Sequence, residues 1–438
     1  MLWITAGLTA IAALVALPAL VIAAQVIVAS LPSVGSARRP HAGQITSDRS
    51  SRPAVGVLVP AHNEALGIRD TIESISAQTS PGDRVVVIAD NCSDETAQIA
   101  RDCGAEVVER RNVAQRGKGF ALRAGLAHLG SGRPSEYVVV VDADCRLQPG
   151  CLDALVAHAT TTGRPAQACY LMKPPGAPRA VDVVSALAVL VKNRVRPLAM
   201  ARFRFPCLIT GSGCAFPWTA LGARSFDGGN IVEDMQLAID LALAGSPPSY
   251  CDDAVLFAAL PDRPAAFVSQ RRRWEHGHLR TVASQVPRLA LAFLRTGRVE
   301  LAAMLIDLAV PPLSLVVALN TVMVFAGLVA VALGGSWVPA AINAAALGLL
   351  TGSVGMAWWR FARDWMPFRF LLSVPVYVLT KLPLYASFVF RRESTWIRTA
   401  RGSHASSNGA SFADAKTAEN PIEDVVGVNR PKHASQVL

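Results

Sequence analysis

From Leu2 to Ser30 the chain runs without a single charged side chain and then turns abruptly to Pro, Gly, Ser and Arg. About 20 apolar residues suffice to cross a bilayer, so residues 1–30 predict a transmembrane helix. A cleaved signal peptide fits less well, because no basic segment precedes the apolar run and the run exceeds an ordinary signal core. Residues 31–53, rich in Pro, Gly and Ser, read as a linker. Arg38 and Arg39 in that linker place the N-terminus outside and the following residues in the cytoplasm, by the positive-inside rule.

From Pro53 to about Pro261 the pattern changes to short, β-branched runs separated by helical stretches. Val55–Pro60, Arg84–Asp90 and Tyr137–Asp144 are the clearest runs, and polar or acidic residues stand at their ends. Continuous apolar strands alternating with helices predict a parallel sheet covered on both faces. Ligands in such sheets sit at the carboxyl ends of the strands. Residues 54–285 are therefore expected to form one cytoplasmic α/β domain, followed by an interfacial segment at 286–300.

Beyond Leu301 the chain is apolar again. Leu301–Leu333, Val338–Trp358 and Phe368–Phe390 are further spanning candidates within a membrane region at 301–390. The loop between the last two carries Arg360, Arg363 and Arg369, which predicts a cytoplasmic position. Were all three segments to span, the tail starting at Arg391-Arg392 would lie outside, against the same rule. One segment is therefore expected to be interfacial or re-entrant. Phe368–Phe390, with Lys381 and internal prolines, is the first choice, although Pro311-Pro312 also interrupt Leu301–Leu333. The polar tail, 391–438, reads as cytoplasmic and disordered.

Composition sharpens this picture in three respects. Hydrophobic residues make up 52% and mean hydropathy is +0.35, both high for a purely soluble chain. The net charge of +10 suits anionic lipid or anionic substrates. No Lys/Arg-rich run is interleaved with aromatics, so nucleic acid is not an expected partner. The eight cysteines, all between Cys92 and Cys251, form no CxxC pair and no zinc spacing. They are expected as reduced, mostly buried thiols.

The sharpest chemical signal is Asp142-Ala143-Asp144 after the run Val138–Val141. Alternate residues of a strand share a face, yet two carboxylates converge on one ion only where the strand gives way to a turn. Such a pair suits a hard cation, Mg²⁺ or Mn²⁺, shared with a diphosphate; a solvated acidic strand end is the plainer alternative. Glu233-Asp234 opens a helical run, where the helix dipole favours an anion. Asp234 is there either an ordinary first-turn carboxylate or a general base for a sugar hydroxyl. Gln270-Arg271-Arg272-Arg273-Trp274 reads either as a basic, lipid-facing turn or as a diphosphate clamp with Trp274 under a sugar ring. His62-Asn63-Glu64 and Asp90 follow the first two strands, as nucleoside contacts or as simple caps. Arg116–Gly119 sets Lys118 at a helix start, where an anionic phosphate could bind. Thr210–Gly213, followed by Phe216 and Trp218, lines an acceptor groove or belongs to the core.

Taken in order, Glu64, Asp90, Asp142-Ala143-Asp144, Glu233-Asp234 and Gln270-x-x-Arg273-Trp274 resemble glycosyltransferase family 2. The branch of cellulose, hyaluronan and chitin synthases and of ceramide glucosyltransferase is the most similar. The resemblance covers about Val55 to Trp274 and the membrane framing. It implies a GT-A fold, a Rossmann-like mixed sheet flanked by transmembrane helices, and an inverting single displacement from a nucleotide sugar such as a UDP-sugar. It further implies that Glu64 and Asp90 bind the nucleoside and that Lys118 lies in the donor loop. The same resemblance implies that Asp142 lies beside the donor and that Asp144 coordinates Mg²⁺ or Mn²⁺. It implies likewise that Asp234 is the base and that Gln270, Arg273 and Trp274 hold the diphosphate and the acceptor end.

The expected setting is the inner (plasma) membrane, with a lipid-linked or polysaccharide acceptor and membrane lipid as partners. Three C-terminal segments are few for a self-sufficient polymer channel. That leaves a smaller polysaccharide synthase with a partner subunit for export, or a glycolipid glucosyltransferase of the ceramide type adding one sugar. An inactive scaffold retaining the fold is disfavoured by the intact set of acids.

Overall fold

The computed structural model describes residues 2–32, 52–132, 135–221, 226, 233–261 and 264–390. Arg38, Arg39, most of the linker and the tail from 391 lie outside the described residues, as does the side chain of Glu233.

The apolar runs form strands where their patterning predicts them. β1 (Val55–Ala61), β2 (Arg84–Asp90), β3 (Glu106–Arg110) and β4 (Tyr137–Val140) lie parallel in the order β3-β2-β1-β4. The parallel pattern does not continue across the whole sheet. β5 (Cys145–Leu147), β6 (Ala166–Lys173), β7 (Cys214–Pro217) and β8 (Ser249–Ala259) extend it to eight strands, with β7 antiparallel to both β4 and β6. The strand order reverses beside β1, so the carboxyl ends of β1, β2 and β4 open on one crevice.

Helices cover both faces of the sheet. α2 (Ile68–Ser76), α3 (Thr96–Asp102) and α5 (Cys151–Thr162) lie on the side of one core that includes Ile72, Val87, Leu152 and Leu155. α4 (Lys118–Gly130) seals the other face with Leu122 and Leu129 against Leu58 and Ile88. Its approach is close. A Cβ on Gly125 would stand 2.8 Å from Ile88 Cδ1 and 2.9 Å from Leu58 Cδ2, so a side chain there would displace the helix.

Long apolar helices pack directly on this domain. α1 (Leu2–Ser30), α12 (Leu313–Ala332) and α13 (Val338–Phe361) each have the length and apolarity to cross a bilayer, as does the segment Phe368–Phe388. A shared core joins Ile22 and Val26 of α1, Leu350 and Ala357 of α13, and Leu171 and Phe257 of β6 and β8. Between them, α6 (Ala180–Leu190) and α7 (Arg196–Arg202) flank one π-helical turn, Val191–Val195. Pro197 has no N–H to give the turn before it, which accounts for the local widening.

Leu301–Leu333 is not one helix. α11 (Val299–Ala309) ends before Val310, whose ψ of 112° is extended, and α12 begins after Pro312. Proline drives the residue before it out of the helical region and cannot donate, so Pro311-Pro312 separate the two. α11 stays with the domain. Its Asp307 accepts from Arg196 Nη2 at 2.8 Å and from Gln25 Nε2 at 2.7 Å, tying α1, α7 and α11 together. Residues 286–296 continue α10 (Pro264–Thr296), with Leu289 fully buried.

α8 (Trp218–Leu221) and α9 (Glu233–Leu243) precede β8. The last described helix, α14 (Val374–Phe390), has two faces. Tyr377, Val378, Lys381 and Tyr385 are buried, while Val376, Leu379 and Leu382 are exposed. Lys381 Nζ lies 2.7 Å from Glu275 Oε1 of α10, and Tyr385 shares a 2.5 Å hydrogen bond with Ser314 at the start of α12.

Candidate active site

β4 ends at Val140, and the chain turns through residues 141–144 before β5. The turn is fixed on both sides. The Asp142 amide donates to buried Ser212 Oγ at 3.0 Å, and the Cys145 amide donates to the Asp142 carbonyl at 3.0 Å. Here the Asp142 and Asp144 carboxylates converge, within 4.8 Å of each other and of Cys145 Sγ.

Lys118, at the start of α4, donates to the Asp142 carboxylate and, at 2.5 Å, to the Gly211 carbonyl. Gly211 has φ +90°, and a Cβ there would stand 3.1 Å from Asp234 Oδ2 and 3.5 Å from Lys118 Nζ. One glycine therefore lets the metal-type acids, the lysine and the α9 acid crowd together.

Asp234 opens α9 and accepts its neighbour's amide, Met235 N–H, at 2.8 Å. Enclosure pushes the Asp234 carboxyl above the usual range, against the pull of Lys118 and then Lys192. Asp142 is also pushed up by burial, opposed by Lys118 and reinforced by the negative charges of Asp144 and Asp234. Lys192 acts on Asp234 as well, but Asp142 and Asp144 have Lys118 alone between them, which leaves a surplus of negative charge at that pair. A divalent cation would relieve it.

The donor-type residues stand along the same edge. Asp90 accepts from Arg110 Nη1 at 2.6 Å and from Asn91 Nδ2 at 2.9 Å, while His62 Nδ1 meets the Asp90 carbonyl at 2.6 Å. Arg110 lies 5.4 Å over the Phe120 ring. The Glu64 amide donates to Thr96 Oγ1 at 2.8 Å, which sets the turn after β1. Arg110 escaped the sequence reading, although a charged residue closing β3 was a usable signal.

Gln270, Arg273 and Trp274 share one face of α10, at helical spacings of three and four. Gln270 is buried with its Oε1 unpartnered. Trp274 and Asp234 line the same cavity, of about 190 Å³. Arg271, whose role the sequence left open, also lines it, 5.1 Å over the Trp274 ring. Thr210, at the head of the turn singled out in the sequence, lines the cavity too, and its hydroxyl is buried without a partner.

The apolar helices also line the cavity, through Ile22 of α1, Val317 of α12, Val354 of α13 and Tyr377 of α14. Lys192, on the π-helical turn, projects into it and was not anticipated, since only the folded chain brings it near Asp234. All eight cysteines are free and six are buried. Burial pushes the Cys145 thiol well up, and its Sγ accepts from Ser212 Oγ at 3.2 Å, so it remains a thiol beside the two carboxylates.

Comparison with known proteins agrees with this architecture. Residues 53–277 match the sequence profile of the family described as glycosyltransferase like family 2, and the chain belongs to that family. Its fold is GT-A. The mannosyltransferase PcManGT from Pyrobaculum calidifontis, solved with GDP-Man and Mn²⁺, shares it at a TM-score of 0.50 and 21% identity, covering 88% of this chain and 100% of that one.

Among curated relatives, glucomannan 4-beta-mannosyltransferase 7 of Arabidopsis thaliana is 26% identical over 55% of this chain and 46% of its own length. The 4,4'-diaponeurosporenoate glycosyltransferase of Staphylococcus aureus strain USA300 is 36% identical over 21% of this chain and 24% of its own. The probable glycosyltransferase YdaM of Bacillus subtilis strain 168 is 34% identical over 21% and 23%. The matched segments thus span a quarter to a half of these relatives.

Proposed function

We propose that the chain is a membrane-bound, inverting glycosyltransferase that moves one sugar from a nucleoside-diphosphate sugar to an acceptor entering from the lipid phase. The observation that carries this reading is the shared cavity, which Asp234 lines together with residues of the apolar helices α1, α12, α13 and α14. An acceptor hydroxyl presented there meets a carboxylate whose enclosure raises its basicity. Asp234 takes the hydroxyl proton as the oxygen attacks the anomeric carbon, and the diphosphate leaves from the opposite face.

Asp142 and Asp144 are the residues to hold Mg²⁺ or Mn²⁺, because two hard carboxylates converge there and the neighbouring thiol stays protonated. The cation supplies charge neutralisation of the leaving diphosphate. Lys118 keeps Asp142 in place and brings a positive charge to the same spot. Glu64 and Asp90 belong with the nucleoside, on the crevice edge formed by β1 and β2. Gln270, Arg273 and Trp274 close the site on the acceptor side, where Trp274 offers a flat face for a sugar ring.

A single-sugar transfer to a lipid-linked acceptor fits better than a polymer channel. α14 presents Lys381 and Tyr385 to the domain and Val376 and Leu379 outward, as an amphipathic helix lying in the membrane interface does. Three crossings, α1, α12 and α13, then remain. They put the Arg360–Arg369 loop and the C-terminus on the domain's side, taken as the cytoplasmic face of the plasma membrane.

The test is donor turnover by the purified full chain across a panel of nucleotide sugars. Hydrolysis or transfer of one donor should require Mg²⁺ or Mn²⁺, stop with a chelator, and vanish in Asp144→Asn. Metal-independent turnover, or an unaffected variant, contradicts the assignment.

A further inference from the structure

The polar end of the cavity carries more positive charge than its own acids neutralise. Five side chains charged at neutral pH line it: Lys192, Arg196, Arg271, Asp234 and Glu275. Two of these are already committed. Arg196 is bound to Asp307 and Gln25, and Glu275 lies 2.7 Å from Lys381 Nζ. That leaves Lys192 and Arg271 as neighbouring cations in the lining; Asp234 acts on Lys192 more strongly than Glu275 does, and Asp234 is shared with Lys118.

His278 adds no charge. Burial holds its imidazole down to about 3, with its Nε2 3.1 Å from the Val310 carbonyl. Burial also draws the Lys192 ammonium pKa downward, in opposition to Asp234, as expected for a cation in need of an anion.

The unmet hydrogen bonds point the same way. Arg271 donates through Nη2 to Ser185, yet its Nε is buried with no partner. Thr210 Oγ1, in the same lining, is also buried and unpartnered and can donate, whereas the buried, unpartnered Asn193 Oδ1 and Glu275 Oε2 only accept and suit a hydroxyl of the same ligand. An orphaned guanidinium N–H beside a cavity-facing ammonium is costly unless a ligand completes it. Toward the membrane the lining turns apolar, through Leu187, Val184, Val317 and Val378.

We propose that Lys192 and Arg271 form an anion subsite for the acceptor: a single-chain amphiphile whose headgroup carries an oxyanion, phosphate or carboxylate, with its chain along the apolar half. This rests on the transferase reading for its role, but the subsite itself is a binding claim. The attacking oxygen would belong to, or stand beside, that headgroup, within reach of Asp234.

The experiment is equilibrium binding of radiolabelled dodecyl phosphate to the purified full chain in neutral detergent, with dodecanol and sodium phosphate as controls. Dodecyl phosphate should bind at least tenfold tighter than either. Lys192→Met should weaken it about ten- to a hundredfold, the range for a charged hydrogen bond, and leave dodecanol unchanged. Lys192→Arg should restore it.

Equal binding of dodecyl phosphate and dodecanol by the native chain overturns the proposal, as does an unchanged preference in Lys192→Met. So does a variant that loses affinity for UDP with Mn²⁺ instead, which would give Lys192 to the donor diphosphate. Donor turnover by the native chain is read separately. Selective binding without turnover of any donor would keep the anion subsite and remove the transferase reading.

Discussion

Asp234→Asn isolates the proposed base with little change in volume. The side chain accepts one described hydrogen bond, from its own helix at Met235, and an amide oxygen can still accept it. What changes is charge. Asparagine cannot take the acceptor proton, so turnover should fall by roughly two to four orders of magnitude, the range for a positioned base. Donor affinity should hold within about threefold, because Asp142 and Asp144 lie on a different turn and keep their geometry.

The pH profile gives a second readout. Only the ionised carboxylate can accept a proton, and enclosure raises its pKa. Native activity should therefore rise with pH through a midpoint above the ordinary aspartate range of about 3.9, then level off. Asp234→Asn should lose that rising limb. Steady-state transfer with labelled donor, beside donor binding by calorimetry, measures both quantities. A variant that loses donor affinity as severely as turnover would refute the base assignment and make Asp234 a structural residue.

Four further outcomes follow from the same geometry. Gly211→Ala should cost at least tenfold in turnover and more than about 1 kcal/mol in stability, since φ is +90° and the new Cβ would press on Asp234 and Lys118; denaturant unfolding and kinetics on one preparation check both. Lys381→Met should destabilise by about 3–5 kcal/mol by stranding buried Glu275, and Lys381→Met with Glu275→Gln should recover most of it, read as thermal unfolding in detergent. His278 binds its proton only below about 3 when folded but near 6.5 when unfolded. The unfolded chain thus holds more protons in that window, and stability should decline as pH falls from 6.5 by up to about 1.4 kcal/mol per unit, less so in His278→Gln. A cysteine placed at Arg363 should resist an impermeant reagent in intact cells while one at Gly335 reacts, and the reverse pattern would invert the topology.

The parallel half of the sheet was legible because its strands are buried on both faces, so Val55–Pro60 and Arg84–Asp90 carry no competing pattern. The acids at their ends stood out for the same reason, although the sequence could not separate a ligand-facing acid from a cap, and Asp90 has structural partners in Arg110 and Asn91. The antiparallel strands were harder. β7 is four residues long and pairs with segments distant in sequence, so no local period marks it. The break at Pro311-Pro312 was visible, but hydropathy alone merged α11 with α12.

Lys192 could not be found from the chain. It lies in a helical stretch beside Asn193, Arg194 and Arg196, where nothing local sets it apart, and its meaning comes from a π-helical turn and from the charges of α9 and α10 that act on it. π-helical turns recur at functional sites for this kind of re-aiming. Asp234 itself was ambiguous as a first-turn carboxylate until Gly211 and Lys118 were seen to stand against it.

The central claim is that the carboxylate at the start of α9 serves an acceptor delivered from the lipid. It is met most directly by incubating the purified chain with Mn²⁺, its labelled nucleotide sugar and a bacterial lipid extract, then partitioning the products between organic solvent and water. The label should enter the organic phase as a single glycolipid with the native chain and stay behind with Asp234→Asn. A ladder of water-soluble polymer, or equal organic-phase label from both proteins, would contradict it.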